Sequence, residues 1–427
     1  MALRSASLRR AVTGFAFKAL SAPLEKACRL LVVFVVAPAL GATAFGTYQF
    51  ATTVALMLTA VAGFGLGPWT TRALARDRDG LHAVMAAGLR LRAFAAIPFL
   101  ALLGLVAWRE DAGDARWAMI VLGVAALAHS FVDYYGAILR GREDFRQEAA
   151  MNAVRALSTT LCALGAFFVT RSLMGLATGI AVGSLASAVW GLWYVPHVYR
   201  DARHGSTVSQ TDAVRVVRDV LREAGPLWLS GLLATLYFRT DILFVRYFAG
   251  EAEVGSYAAA YRIFEATMLL PSTVMHVAFP RLARAHTEQH PARQVELPLT
   301  LLLVALGVIV AVLLVAADAG VVRALLGPAF ARSEAPLRVL ACTVPVMFAS
   351  YAVGDFVIAR GREAWLVRVL GAMLALNVVL NLLMVPRMGG TGAAWSTLVT
   401  EVAFVACGIA LLARGLNRGK TTREGAS

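Results

Sequence analysis

Charged residues are scarce in this sequence. Asp, Glu, Lys and Arg make up 15% of its 427 residues, whereas 59% are hydrophobic. Soluble domains average about 25% charged and roughly 45–50% apolar residues, so this deficit excludes a water-soluble globular protein. The apolar residues form runs about as long as a bilayer crossing, and a run such as 299–317 lacks the alternation of a β-barrel strand. The sequence therefore predicts an all-α polytopic membrane protein.

Catalytic and metal-binding motifs are also missing. The four cysteines, Cys28, Cys162, Cys342 and Cys407, lie inside apolar segments without metal-ligand spacing, and the seven histidines are scattered. No HExxH, GxSxG or Walker-type loop occurs. We therefore predict no enzymatic activity, no resident cofactor and no ATP hydrolysis by the chain itself.

The net charge of +14 does not indicate nucleic-acid binding. The arginines are spread over short segments between apolar runs rather than gathered on one face among aromatic residues. Positive charge in such segments is typical of the cytoplasmic loops of membrane proteins. We therefore expect no nucleic-acid partner.

Apolar windows of about 20 residues predict twelve crossings. They lie near 12–37, 47–67, 83–107, 116–139, 147–169, 173–197, 226–248, 255–279, 298–317, 335–358, 364–385 and 391–413. With the N-terminus in the cytoplasm, 28 Lys and Arg residues (Arg155 among them) fall on the cytoplasmic side and eight on the other. Four within the membrane complete the total of 40. This asymmetry predicts cytoplasmic termini.

The longest loop, 199–225, divides the chain into an N-terminal six-helix lobe, 1–198, and a C-terminal lobe, 226–414, followed by a cytoplasmic tail, 415–427. The halves resemble each other. LGATAFGTYQFA (40–51) aligns without gaps on AGEAEVGSYAAA (249–260), and ILRGRE (138–143) matches IARGRE (358–363). Six crossings per half give a parallel repeat, which predicts two lobes related by a pseudo-twofold axis around a central cavity.

Several charges lie at bilayer depth, where each is costly and indicates a functional site. Helical spacing lets Glu25 meet Arg29 and lets Arg262 meet Glu265. Arg239 and Asp241 are two residues apart, on opposite sides of a helix, so each needs a partner elsewhere. We predict that the charged set lines a hydrated, slightly cationic cavity suited to an anionic ligand. Its predicted substrate-binding members are Lys26, Arg29, Arg239, Asp241, Arg262 and Glu265. The alternative is that these charges only lock helices together.

Four further polar residues are candidates for coupling or for the cavity wall: Glu25, Glu401, Asn377 and Asn381. Glu401 is a lone carboxylate in the twelfth crossing and could carry a coupling proton. Asn377 and Asn381 are four residues apart, and hydrogen bonding between helices is the simpler interpretation for them. Asp133 and Asp355 are expected to be interfacial.

The segment RTDILFVRYFAGEAEVGSYAAAYRIFEATMLLPSTVMHVAFPRLAR (239–284) resembles the oligosaccharide flippase family of the multidrug/oligosaccharidyl-lipid/polysaccharide exporter superfamily. The shared features are a mid-helix Asp, a short loop with VGSYAAAYRI and a Pro-containing helix ending in FPRLAR. LGATAFGTYQFA is similar to the same family's loop after its first helix.

The resemblance implies a flippase of the bacterial inner membrane that works by alternating access. Its cargo would be a polyprenyl-pyrophosphate-linked oligosaccharide for O-antigen, capsule or exopolysaccharide biosynthesis. Membrane lipids, a polysaccharide polymerase and glycosyltransferases are the implied partners, and the driving ion is left open between H⁺ and Na⁺.

Two alternatives come from the same superfamily. A cation-coupled multidrug exporter would favour carboxylates in its cavity, whereas cations prevail here. The related lipid II flippases usually carry two additional C-terminal helices, and this chain ends after twelve predicted crossings.

Two further alternatives belong to other classes of protein. A membrane-embedded glycosyltransferase or acyltransferase would show an acidic or histidine motif at a membrane face. A non-transporting scaffold would tolerate neutralisation of the intramembrane charges.

Overall fold

The computed structural model describes residues 2–77, 80–110, 113–200, 210–287 and 293–424, and no strand occurs among them. A short 3₁₀ helix covers Pro328–Ser333. The α-helices are α1 (Ala2–Ala62), α2 (Leu66–Arg76), α3 (Leu81–Arg109), α4 (Asp114–Gly141), α5 (Phe145–Thr170), α6 (Leu173–Val198), α7 (Gln210–Ala249), α8 (Glu251–Thr267), α9 (Leu269–Thr287), α10 (Arg293–Leu326), α11 (Glu334–Ala359), α12 (Glu363–Met388) and α13 (Gly390–Glu424).

The predicted all-α polytopic fold is confirmed. Within the described ranges, nine helical stretches are long and apolar enough to cross a membrane. Two of them, Pro23–Ala62 and Ala364–Leu412, each contain most of two predicted crossings. The predicted crossing at 255–279 is divided between α8 and α9 at Met268. The nine stretches and the divided crossing therefore account for the twelve predicted spans.

Two glycines reproduce the internal repeat in the backbone. Gly41 interrupts α1 with φ 76° and ψ 170°, and Gly250 precedes α8 with φ 83° and ψ 179°. A side chain disfavours this conformation, so glycine is required at both turns. The alignment of the two halves pairs these positions, with a shift of 209 residues. The repeat predicted from the sequence therefore appears as a repeated turn geometry.

The helices form two compact units. The first comprises Met1–Leu40 and Thr47–Thr235, and the second comprises Gly41–Gly46 and Leu236–Ser427. In the first unit α4 packs against α2, α3, α5 and α6, and its core includes Tyr134, Tyr135 and Trp69. Apolar side chains elsewhere on its helices are exposed, such as those of Leu161 and Val189, which fits a hydrocarbon surrounding.

The boundary between the units falls inside α7. Residues 210–225, which the sequence assigned to a linker, form the first turns of this helix. The indole of Trp228 donates a hydrogen bond to the carbonyl of Ala60 (2.9 Å), and Ala224 is buried beside Gly65. The first half of α7 is therefore part of the first unit, whereas the predicted lobe boundaries stay predictions.

A close helix contact in the second unit joins the segment Gly41–Gly46 to α8. A Cβ on Gly46 would lie 1.9 Å from the carbonyl oxygen of Glu251, and a Cβ on Gly255 would lie 1.9 Å from that of Ala42. The repeat pairs Gly46 with Gly255 and Ala42 with Glu251. The contact, here called the glycine crossing, is therefore reciprocal, and only the missing side chains let the backbones approach so closely.

Candidate functional site

The second unit encloses a carboxylate in the C-terminal part of α7. Asp241 is 4% exposed and accepts hydrogen bonds from three helices. The donors are the hydroxyl of Tyr257 on α8 (2.9 Å), the amide of Asn381 on α12 (2.8 Å) and the hydroxyl of Thr397 on α13 (3.0 Å). These donors lie 16, 140 and 156 residues away in sequence. Asp241 is therefore held in an enclosed polar network rather than exposed to an open passage in this structure.

The two predicted asparagines complete this network. The amide nitrogen of Asn381 also lies 2.9 Å from both the carbonyl oxygen and Oδ1 of Asn377. Its own Oδ1 is buried and accepts no hydrogen bond from any described residue. Asn381 thus bonds to another helix through Asp241, Asn377 bonds to Asn381 within α12, and Asn381 Oδ1 is left without a donor among the described residues.

The composition of the network fits a small hard cation. Asp241, Asn377, Asn381 and Thr397 offer carboxylate, amide and hydroxyl oxygens, which are the ligands that such ions prefer. The unbonded Oδ1 of Asn381 supplies a free acceptor at the same place. In the described ranges no group of three or more His, Cys, Asp or Glu side chains could hold a metal ion.

A second buried carboxylate, that of Glu401, lies on α13 one turn beyond Thr397. Glu401 is 2% exposed and accepts hydrogen bonds from Tyr237 (2.7 Å) and from Ser350 on α11 (2.6 Å). Tyr237 and Asp241 are one turn apart on α7, as are Thr397 and Glu401 on α13. The two carboxylates thus form successive links between the same two helices.

Two arginines share one glutamate on the other side of α7. Glu265 lies 3.3 Å from Arg239 and 2.6 Å from Arg262. The local pair Arg262–Glu265 predicted from the i, i+3 spacing is present, and Arg239 takes its partner from α8 as its position requires. Both arginine side chains are largely buried while Glu265 is half-buried. Glu265 thus pairs with an arginine of α7 and with one of its own helix.

The first unit holds a further charged group, here called the Arg155 cluster. Arg155 on α5 forms ion pairs with Asp133 on α4 and with Glu25 on α1, the latter at 2.7 Å. Glu25 also binds Arg29 at 2.9 Å, so the predicted i, i+4 pair is present. Lys26, next to Glu25, is exposed. The cluster therefore joins two of the predicted site residues, Glu25 and Arg29, to Arg155 and Asp133, which were not predicted as site residues.

Arg155 is more buried than its place in the cytoplasmic charge count suggests. The charge count assigned it to the cytoplasmic side, but its side chain is only 9% exposed and lies ten residues inside α5. A signal was available, since position 155 falls within the predicted fifth crossing, 147–169. Asp133 lies eight residues before the end of α4 at Gly141, and its expected interfacial position stays a prediction. Listing the charged residues inside each predicted crossing would have identified both residues as intramembrane candidates.

A family model described as "Polysaccharide biosynthesis protein" matches residues 11–286, more than half of the chain. The chain belongs to this family. No curated protein sequence matches it.

Solved transporter structures share the fold of this polysaccharide biosynthesis protein. An inward-facing multidrug resistance MATE family transporter of the MOP superfamily matches with a TM-score of 0.76 at 16% identity, covering 93% of this chain and 96% of the other. The inward closed form of lipid II flippase MurJ matches with a TM-score of 0.71 at 11% identity, covering 92% and 87%. A mutant form of the Vibrio cholerae MATE transporter VcmN matches with a TM-score of 0.65 at 15% identity, covering 97% and 98%. The protein is thus a multi-pass membrane protein with a transporter fold.

Proposed function

We propose that this protein translocates a polyprenyl-pyrophosphate-linked oligosaccharide across the bacterial inner membrane by alternating access. The observation that carries the proposal is a set of lysine and arginine side chains within the apolar helices of a member of the polysaccharide biosynthesis family. Lys26 and Arg29 are exposed, and Arg239 and Arg262 both pair with Glu265. Guanidinium and ammonium groups bind phosphate oxygens, so these four residues are the proposed pyrophosphate ligands.

The proposal also covers the orientation of the chain, the position of the lipid chain and the partners. Both termini lie in the cytoplasm, as the distribution of Lys and Arg favours. The polyprenyl chain stays in lipid, and the translocated repeat unit passes to polymerase and glycosyltransferase partners. The protein performs no chemistry on its cargo.

Neutralising Lys26 is expected to reduce translocation by about tenfold or more, because a charge-assisted contact contributes about 1.5–3 kcal/mol. The full-length protein is reconstituted in liposomes with a fluorescent short-chain prenyl diphosphate glycolipid, and its arrival on the opposite leaflet is measured by chemical quenching. The Lys26→Gln and Arg239→Gln variants should both translocate the glycolipid slowly. Lys26→Arg should retain transport, since it retains the charge.

Arg387→Gln is the matched control, because Arg387 is exposed and bonds only to the carbonyl of Leu383 one turn away in the described structure. Undiminished transport by both Lys26→Gln and Arg239→Gln would contradict the proposal. Efflux of a cationic dye in place of the glycolipid would instead support a multidrug exporter, the function named for the MATE structures that share this fold. Flipping of lipid II alone would support the function named for MurJ.

We further propose that transport is coupled to sodium bound at Asp241, because the unbonded Oδ1 of Asn381 adds an acceptor to the carboxylate there. Ion binding to the folded state should raise the melting temperature in NaCl over that in equimolar KCl. The stabilisation reaches about 2.7 kcal/mol at a concentration 100 times the Kd. Asp241→Asn should abolish the difference, whereas Asp355→Asn, on a half-buried aspartate of α11, should keep it. Equal melting of the wild type in both salts would favour a proton, with Glu401 as its carrier.

A further inference from the structure

The helix α4 is enclosed from Ala118 to its end except at one residue. Between Ala118 and Gly141, all of which the structure describes, Asp133 is the single exposed residue, and 60% of its side chain is accessible. A helix face in contact with lipid would also expose the residues three, four and seven positions away, as the helical repeat requires. None of those positions on α4 from 126 to 140 is exposed. The opening beside Asp133 is therefore local, and a carboxylate faces it.

A buried arginine lies beneath this opening. Arg155 is 9% exposed and uses one terminal nitrogen for Asp133 Oδ1 and the other for Glu25 Oε2. Both terminal nitrogens are thus occupied by carboxylates, so Arg155 is not placed to bind an anion. It instead fixes the two carboxylates and offsets part of their charge. Asp133 Oδ2 accepts no hydrogen bond from any described residue.

The atom left facing the opening is therefore Asp133 Oδ2, a carboxylate oxygen. Such oxygens accept short, charge-assisted hydrogen bonds from hydroxyl groups and repel phosphate. Arg29, bound to the other oxygen of Glu25, is 54% exposed, and Lys26 is its neighbour on α1. An acceptor for a hydroxyl group thus lies next to cations for phosphate. This arrangement matches a molecule in which a sugar is joined directly to a diphosphate.

We propose that Asp133, held by Arg155 beside Glu25, forms a subsite for a hydroxyl group of the sugar attached to the diphosphate. The inference rests on the proposed flippase function and adds to it a ligand class for a part of the first unit. Asp133 contacts the sugar directly, whereas Arg155 is a positioning residue. A purely structural ion pair between helices would have no need of an opening on one side.

The test compares two ligands of equal charge. One is a ten-carbon prenyl diphosphate esterified with a neutral hexose, and the other is the same prenyl diphosphate esterified with methanol. Their affinities for the purified full-length protein are measured by calorimetry. The wild type should bind the hexose ester about tenfold more tightly, the effect of one hydrogen bond to a charged group. Asp133→Asn should bring the two affinities within about twofold of each other and leave the methyl ester unchanged.

The controls separate this subsite from the flippase function. Lys26→Gln should weaken both esters equally, and Asp355→Asn should change neither. If the wild type binds both esters equally, or Asp133→Asn keeps the preference, the subsite is wrong while the flippase function stands. If the wild type binds neither ester, the function itself fails and the subsite with it.

A measurement on the wild type covers the case in which Asp133→Asn does not fold. Carbodiimide and a small amine convert accessible carboxylates to amides, and mass spectrometry reports the modification at Asp133. The hexose ester should protect Asp133 better than the methyl ester at equal occupancy, because the sugar would cover the carboxylate by direct contact. Equal protection by the two esters would overturn the proposal.

Discussion

Replacing Asp241 with alanine is expected to lower the free energy of unfolding by about 3–6 kcal/mol, the largest effect of any single polar substitution in the second unit. The reason is that donors on α8, α12 and α13 would lose their common acceptor in an enclosed site. Each buried donor left without an acceptor costs about 1–3 kcal/mol. The measurement is thermal or denaturant unfolding of the detergent-solubilised protein, in potassium salt so that sodium binding does not contribute.

Asp241→Asn provides the matched variant. It keeps the volume of the side chain and one acceptor, so its loss should be smaller, about 1–2 kcal/mol. The comparison also separates stability from coupling, since the asparagine variant should fold and yet lose the sodium response. If the alanine variant has the same melting temperature as the wild type, the three donors must find other acceptors.

Alanine at either glycine of the glycine crossing is expected to cost at least about 3 kcal/mol. Extra atoms in a well-packed site usually cost about 1–3 kcal/mol. Here the obstructing atom is a backbone carbonyl oxygen 1.9 Å from the new Cβ, so the two backbones must separate. Gly46→Ala and Gly255→Ala should melt alike, and the double variant should lose less than the sum, because the first substitution already separates the helices.

Gly231→Ala in α7 is the control for this pair. A Cβ there would meet no atom within 4 Å. Alanine is favoured over glycine in a helix by about 1 kcal/mol, so this variant should be as stable as the wild type or more so. Normal expression and melting of Gly46→Ala would mean that the close approach is not needed for folding.

Sequence reasoning recovered what depends on local composition and spacing. Apolar windows gave the helices, and the i, i+4 and i, i+3 rules gave the pairs Glu25–Arg29 and Arg262–Glu265. It also required that Arg239 and Asp241 find partners on other helices. It could not name those partners, because Asn381 and Thr397 come into contact with Asp241 only through the packing of α7 against α12 and α13.

The Arg155 cluster was missed for a different reason. Loop charges were counted by side, and a count of that kind assigns an arginine near a helix end to water. Burial of Arg155 depends on two carboxylates from α1 and α4, which are 130 and 22 residues away. A single sequence shows that these charges are present, but it does not show that they come into contact in the fold.

The glycine crossing bears on how such a chain could have arisen. Each half contributes the same two positions to it, so the contact has the symmetry of an interface between identical subunits. A six-helix ancestor carrying one copy of this turn could have dimerised through it before its gene was duplicated and fused. In such a dimer a single glycine codon would have served both sides of the contact. The fused chain must preserve two.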